Sequence, residues 1–165
     1  MKKILCLGHA SYDITIPMDK YPTENIKYRV LNRIECGGGP ASNAAYLLGK
    51  WGMNTYFSGV LGNDIYGKRI KKEFESVGVD TRYIELSKKY KTTNSFIIVN
   101  KKNASRTIFA YRDKSMKMEN TNIRIKPDYA LFDGEDFEIA TKVIKNNPDC
   151  ITILDAGRAK YSTIK

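Results

Sequence analysis

Three consecutive glycines followed by a proline, Gly37-Gly38-Gly39-Pro40, constrain this chain more than any other feature. A glycine run breaks regular structure, because it adds no side chain to pack and loses the most backbone entropy on ordering. Proline then fits the first helical position, where its missing N–H would have no partner in any case. Residues 41–51 are helix formers with apolar Ala44, Leu47, Leu48 and Trp51 at helical spacing. Gly52 supplies a C-terminal cap. The segment predicts a strand-to-helix turn with free N–H groups at the helix start and backbone open to close approach. Asn43 within it can both donate and accept, as a pair of sugar hydroxyls requires. A tight turn with no ligand explains the same residues equally well.

Strand and helix patterns alternate along most of the sequence. Residues 3–7 read as a short buried strand ended by Gly8. Residues 12–16 and 26–34 read as extended pieces separated by a loop. Residues 54–60 predict a strand, and 65–77 a helix with apolar Ile65, Ile70, Phe74 and Val77. A short strand follows at 82–86. Residues 93–100 and 106–111 predict a hairpin. A strand over 129–132, a helix over 137–146 and a strand over 150–154 complete the pattern. Such alternation implies an α/β fold, a mostly parallel sheet flanked by helices. In such sheets ligands sit beyond the carboxyl ends of the strands. Three loops fall there: 8–13, 133–136 and 155–158. The extended pieces at 12–16, 26–34, 93–100 and 106–111 do not alternate with helices. They predict a small β layer outside the main sheet, a lid.

The chain has 165 residues, enough for one domain with a sizeable core. Its formal net charge of +10 favours anionic partners such as phosphate esters or nucleotides, or simply a solvated basic surface. No nucleic-acid motif accompanies the charge, so nucleic acid is not an expected partner. Cys6, Cys36 and Cys150 are far apart and, with the single His9, cannot build a usual zinc site. Reduced, buried thiols in a cytoplasmic protein are expected. The apolar run after Met1-Lys2-Lys3 is too short for a signal peptide, and no stretch is long enough to span a bilayer.

Two phosphate motifs fail. A dinucleotide fingerprint would need glycine where Ser42 stands. Gly62-Asn63-Asp64-Ile65-Tyr66-Gly67-Lys68 matches most of a P-loop, but Arg69 replaces the hydroxyl residue that would hold Mg²⁺. Asp64 instead suits a helix N-terminus. Asp13 could accept two sugar hydroxyls through charge-assisted bonds, or be a turn residue. His9 reads as a structural imidazole. Arg112 could present its guanidinium to a ligand or form a surface ion pair. Asp133, Glu135 and Asp136 cluster without a further metal-ligating group nearby in sequence, so no metal site is expected.

Four segments, in order, resemble the ribokinase-like (PfkB) carbohydrate kinases. Gly8-His9-Ala10-Ser11-Tyr12-Asp13 is similar to the family's opening Gly-x-x-Asn/Ser-x-Asp. Gly38-Gly39-Pro40-Ala41-Ser42-Asn43-Ala44-Ala45 is similar to its first signature, Gly-Gly-x-x-x-Asn-x-Ala. Residues 59–67 resemble Gly-x-x-Gly-x-Asp-x-x-Gly. Ser105-Arg106-Thr107-Ile108 resembles a strand of the family's second hairpin. The resemblance covers nearly the whole chain. It implies a Rossmann-like body with a β lid, over segments 12–34 and 93–112, that closes on a monosaccharide and serves in homodimerisation. It implies sugar contacts at Asp13, Gly38, Gly39 and Asn43, with Ser11 where ribokinases often have Asn, and weaker candidates at Arg112 and Glu135. Pro40 stands where many ribokinases have Lys.

The resemblance also implies a Gly-Ala-Gly-Asp motif, with the anion hole, catalytic aspartate and nucleotide pocket, in a later region. No such motif occurs here. The catalytic residues are therefore expected beyond Lys165, and this chain is expected to be the N-terminal, sugar-binding half of a longer parent. ATP and Mg²⁺ are expected cofactors of that parent, with neither bound tightly by this chain. Two other readings remain: a non-catalytic sugar-binding or dimerisation module, and a nucleoside or vitamin kinase of the same superfamily.

Overall fold

The computed structural model describes residues 1–120 and 122–157. In chain order the elements are β1 (Lys3–Leu7), β2 (Ser11–Met18), β3 (Ile34–Gly38), α1 (Pro40–Lys50), β4 (Asn54–Gly62), α2 (Ile65–Ser76), β5 (Asp80–Ser87), β6 (Asn94–Asn100), β7 (Arg106–Tyr111), β8 (Tyr129–Phe132), α3 (Phe137–Asn146) and β9 (Ile151–Leu154).

The short apolar runs become the centre of a five-stranded sheet in the order β5-β4-β1-β8-β9. Every pairing in it is parallel. Such a sheet must be covered on both faces, so its central strands are apolar throughout rather than alternating. In β1, Ile4 and Cys6 face one cluster with Ala41, Ala45, Phe57 and Phe74, which α1 and α2 complete. Leu5 and Leu7 face the other, with Ala130, Phe132, Ile139 and Val143 under α3. The Phe57 and Phe74 rings stack with centroids 4.6 Å apart. Burying a side chain of this size contributes about 1.5–3 kcal/mol.

The predicted β layer is a second sheet of four strands, in the order β3-β2-β6-β7. β2 pairs antiparallel with β3 and parallel with β6, and β6 pairs antiparallel with β7. Tyr12 of β2 joins it to the body. Its ring stacks on Tyr66 of α2, with centroids 4.9 Å apart. Its hydroxyl donates to Glu35 and accepts from Arg69.

Four expectations need correction. Residues 26–34 do not form a strand; pairing with β2 begins only at Ile34, and the residues before it are mostly exposed. The buried face of α1 is Ala41, Ser42, Ala45 and Gly49, while Leu47 and Trp51 are exposed. Small residues at this spacing let the helix lie close to its neighbours: a Cβ on Gly49 would come within 2.9 Å of the Val77 carbonyl oxygen. On α2, Ile70 and Phe74 are buried as expected, but Ile65 is exposed. Of the cysteines only Cys6 is buried; Cys36 is exposed, because β3 is an edge strand. All three thiols are free. Arg158 of the third expected loop lies outside the described residues. Among those described, no helix is long and apolar enough to cross a membrane.

Candidate functional site

The glycine turn joins β3 to α1 as the sequence predicts. Gly39 is the N-cap of α1, with φ 104°, a region that side-chain-bearing residues rarely adopt. A Cβ there would also sit 2.5 Å from the carbonyl oxygen of His9. Gly38 matters for a different reason: a Cβ on it would collide with the Asp13 carboxylate and lie 3.1 Å from Ser11 Oγ. The antiparallel register of β2 and β3, with Ser11 opposite Gly38 and Asp13 opposite Cys36, brings these residues together. Ser11 Oγ donates to Asp13 Oδ1 at 3.0 Å. The result is a half-buried carboxylate laid on bare glycine backbone, with its orientation fixed by a buried serine.

Asp133 organises the surroundings. It follows β8, next to β1 in the sheet. Its Oδ2 accepts from the backbone N–H of His9 at 2.8 Å and of Ala41 at 3.3 Å, and its Oδ1 accepts from Glu135 N–H at 3.2 Å. One carboxylate therefore ties the turn after β1 to the first turn of α1. Burial pushes its pKa up, while these three bonds oppose the rise. Asp136 is likewise raised by burial, and accepts from Met118 N–H at 3.0 Å. The acidic cluster at 133–136 is thus engaged by the protein's own donors.

Arg112, just past β7, forms a fork-to-fork pair with Glu135: Nη1 to Oε1 at 2.9 Å and Nη2 to Oε2 at 2.7 Å. It connects the four-stranded sheet to the loop after β8. His9 lies nearby; its pKa is lowered by burial and by Arg112, against Glu135 and Asp13.

The predicted residues do not all converge. Ser11, Asp13 and Gly38 touch, and Gly39 adjoins His9 and Ala10. Arg112 and Glu135 bond to each other. Asn43 is exposed and lines a groove of about 410 Å³ with Glu35, Cys36, Tyr46, Glu73 and Phe74, at the edge of β3. Glu73 caps that edge by accepting from Gly37 N–H at 2.8 Å. The sequence reading missed Asp133 as an anchor. The signal was a carboxylate directly after a parallel strand, opposite the first glycine loop.

The starts of α1 and α2 do not suit the phosphates of ATP. The start of α1 holds Asp133, and the start of α2 holds Asp64, which accepts from Gly67 N–H at 2.9 Å and Thr92 N–H at 2.8 Å. Burial works against the Asp64 charge, but these bonds outweigh it and lower its pKa.

The chain resembles known proteins in sequence and in fold. Residues 1–154 match the pfkB family carbohydrate kinases. The ATP-dependent ribose-1-phosphate kinase of Halopiger xanaduensis is 26% identical over 99 residues, covering 60% of this chain and 33% of that protein. The nucleoside kinase of Methanothermobacter thermautotrophicus is 26% identical over 97 residues, covering 59% of this chain and 31% of that protein. The solved ribokinase of Giardia lamblia superposes with a TM-score of 0.81 at 18% identity, over 99% of this chain and 59% of its own. The matches thus span about a third of each curated relative's length.

Proposed function

Since the chain belongs to the pfkB family of carbohydrate kinases, we propose that the whole protein transfers a phosphoryl group from ATP, with Mg²⁺, to a hydroxyl of a monosaccharide. In this reading Ser11, Asp13, Gly38 and Gly39 hold the sugar, whereas Asn43, in the groove at the edge of β3, stands apart from them. The four-stranded sheet acts as a lid over it, with Arg112 and Glu135 at its junction with the body. Nucleotide binding and the general base are assigned outside the described residues, because the starts of α1 and α2 already hold carboxylates.

The observation that carries the reading is Asp13 seated on Gly38 with Ser11 donating to it. A carboxylate fixed in this way accepts two vicinal hydroxyls through charge-assisted bonds. The bare glycine backbone leaves room for a ring beside it. A nucleoside acceptor is a second reading, supported by the match to a nucleoside kinase. Homodimerisation through the lid is supported by Phe96 and Phe109. They are directly paired across β6 and β7, and 48% and 57% exposed.

The test is ADP release by the full-length protein across a panel of sugars and nucleosides. Turnover that requires an acceptor is expected, and Asp13→Asn should lower it. A panel with no turnover for any sugar or nucleoside would sink the reading.

A further inference from the structure

We propose that Arg69 of α2 is a positioning residue for the acceptor site: together with Glu35 it locks Tyr12, and through Tyr12 it sets the place of the Asp13 carboxylate. The inference rests on the sugar-kinase reading and adds to it a residue on the far side of β2 from Asp13.

Tyr12 and Asp13 are neighbours on β2. Successive side chains of a strand point to opposite faces, so a hold on Tyr12 from one side fixes where Asp13 stands on the other. Tyr12 is held at both its ring and its hydroxyl. The residue is 3% exposed, its ring stacks on Tyr66, and the Arg69 guanidinium carbon lies 5.7 Å from the ring centroid. Arg69 Nη1 donates to the Tyr12 hydroxyl at 3.1 Å and to Glu35 Oε2 at 2.9 Å. The hydroxyl donates to that same Glu35 oxygen at 3.2 Å. The three groups close a ring of hydrogen bonds between α2, β2 and β3. Arg33 adds a second cation to Glu35, at 2.6 Å.

The lock belongs to a longer seam. Tyr66, Arg69 and Glu73 stand at i, i+3 and i+7, one stripe of α2. Glu73 accepts from Gly37 N–H at 2.8 Å, and Gly37 stands opposite Tyr12 in the register of β2 and β3. At the start of the helix Asp64 accepts from Thr92, two residues before β6, through both its N–H and its hydroxyl, each at 2.8 Å. One helix thus grips β2, β3 and the approach to β6. The Arg69 side chain is 49% exposed, and an ion pair at that exposure adds little to stability. Its effect is therefore expected in the placement of Asp13 rather than in the fold.

Steady-state ADP release by the full-length protein tests this, with the fastest acceptor of a panel that includes D-ribose and adenosine. In the sugar-kinase reading Asp13 holds hydroxyls alike in the ground and transition states, so its displacement is read in KM. Arg69→Gln should raise the acceptor KM about tenfold, while kcat and the ATP KM change less than about threefold. Its thermal midpoint should stay within about 4 °C of that of the unaltered protein. Tyr12→Phe keeps the stack and loses the hydroxyl. It should give a similar rise, and adding Arg69→Gln to it should give little more. Arg69→Lys should recover most of the loss, since a single nitrogen serves both partners and an ammonium can do the same. Arg82→Gln is the control: Arg82 pairs with Asp80 and lies 5.9 Å from the Tyr56 ring centroid, on β5 of the five-stranded sheet. It should leave the acceptor KM unmoved. An unmoved acceptor KM in Arg69→Gln overturns the proposal and leaves the kinase reading standing. So does a loss of stability with every kinetic parameter shifting together, which would mark the lock as structural only. No turnover with any acceptor brings down the kinase reading, and the proposal with it.

Discussion

Asp133 Oδ2 accepts the backbone N–H of His9 at 2.8 Å, across 124 positions of sequence. The same oxygen also takes the Ala41 N–H, so the turn after β1 and the start of α1 are held by one atom. Replacing Asp133 with Ala leaves these donors in a half-buried site without a partner. Unsatisfied buried donors cost about 1–3 kcal/mol each. Urea denaturation should show Asp133→Ala less stable by about 2–4 kcal/mol, with Asp133→Asn losing less because its amide oxygen still accepts. Equal stability of Asp133→Ala and the unaltered chain would mean that the carboxylate is not the anchor.

Gly39 gives a second test on the same turn. Its φ of 104° and the nearby His9 carbonyl oxygen leave no room for a Cβ. Gly39→Ala should destabilise the chain by about 1–3 kcal/mol, the cost of holding a side-chain-bearing residue in such a region. Gly52→Ala serves as a control, since a Cβ there meets nothing within 4 Å although φ is 73°. Thermal unfolding should rank Gly39→Ala as the more damaging of the two; the reverse order would refute the close-approach argument.

The parallel core was legible because strands buried on both faces are short apolar runs with no competing helical period. Residues 129–132 coincide with β8 for this reason. The strand expected over 26–34 fails because its loose alternation belongs to an exposed segment, and only cross-strand pairing with β2 decides where β3 starts. The α1 face was only half legible: Ala44 and Leu48 pack against the core as expected, but apolar bulk also marks the exposed Leu47 and Trp51, whereas close packing selects Ala41, Ala45 and Gly49. In the site, the meeting of Asp13 with Gly38 follows from two short motifs on paired strands. The role of Asp133 does not, since its partners come from segments joined only by the fold. Likewise nothing local in sequence tells that Arg112 meets Glu135, 23 positions away.

His9 is the only histidine, so its titration can be isolated. Burial lowers its pKa first, then Arg112, with Glu135 and Asp13 opposing; Asp133 holds its backbone. The unfolded chain therefore takes up a proton near pH 6.5 that the folded chain still refuses. Stability from this group is full above that pH and falls as the pH drops through it toward the lower folded value. The slope approaches about 1.4 kcal/mol per pH unit. Urea titrations at pH 7.5 and 5.5 should show the loss, and His9→Gln should reduce it. An unchanged pH dependence in His9→Gln would show that the imidazole is not held neutral.

β9 ends the five-stranded sheet among the described residues, yet its sequence Ile-Thr-Ile-Leu is that of an interior strand. Ile151, Ile153 and Leu154 are each about half exposed, and Phe137 and Ile144 of α3 expose apolar surface beside them. The groove between α3 and β9, about 250 Å³, is lined by Phe132, Phe137, Ile144, Ile153 and Leu154. An unpaired apolar edge offers a free row of backbone donors and acceptors for another chain to join. This chain by itself should therefore self-associate as concentration rises, and Ile153→Lys should suppress that association by placing a charge on the edge. Sedimentation velocity over a hundredfold range, about micromolar to about 0.1 mM, decides it. A chain that stays monomeric throughout would show that this edge is protected. Equal association in Ile153→Lys would move the contact elsewhere, with the exposed Phe96–Phe109 pair of the other sheet the next surface to alter.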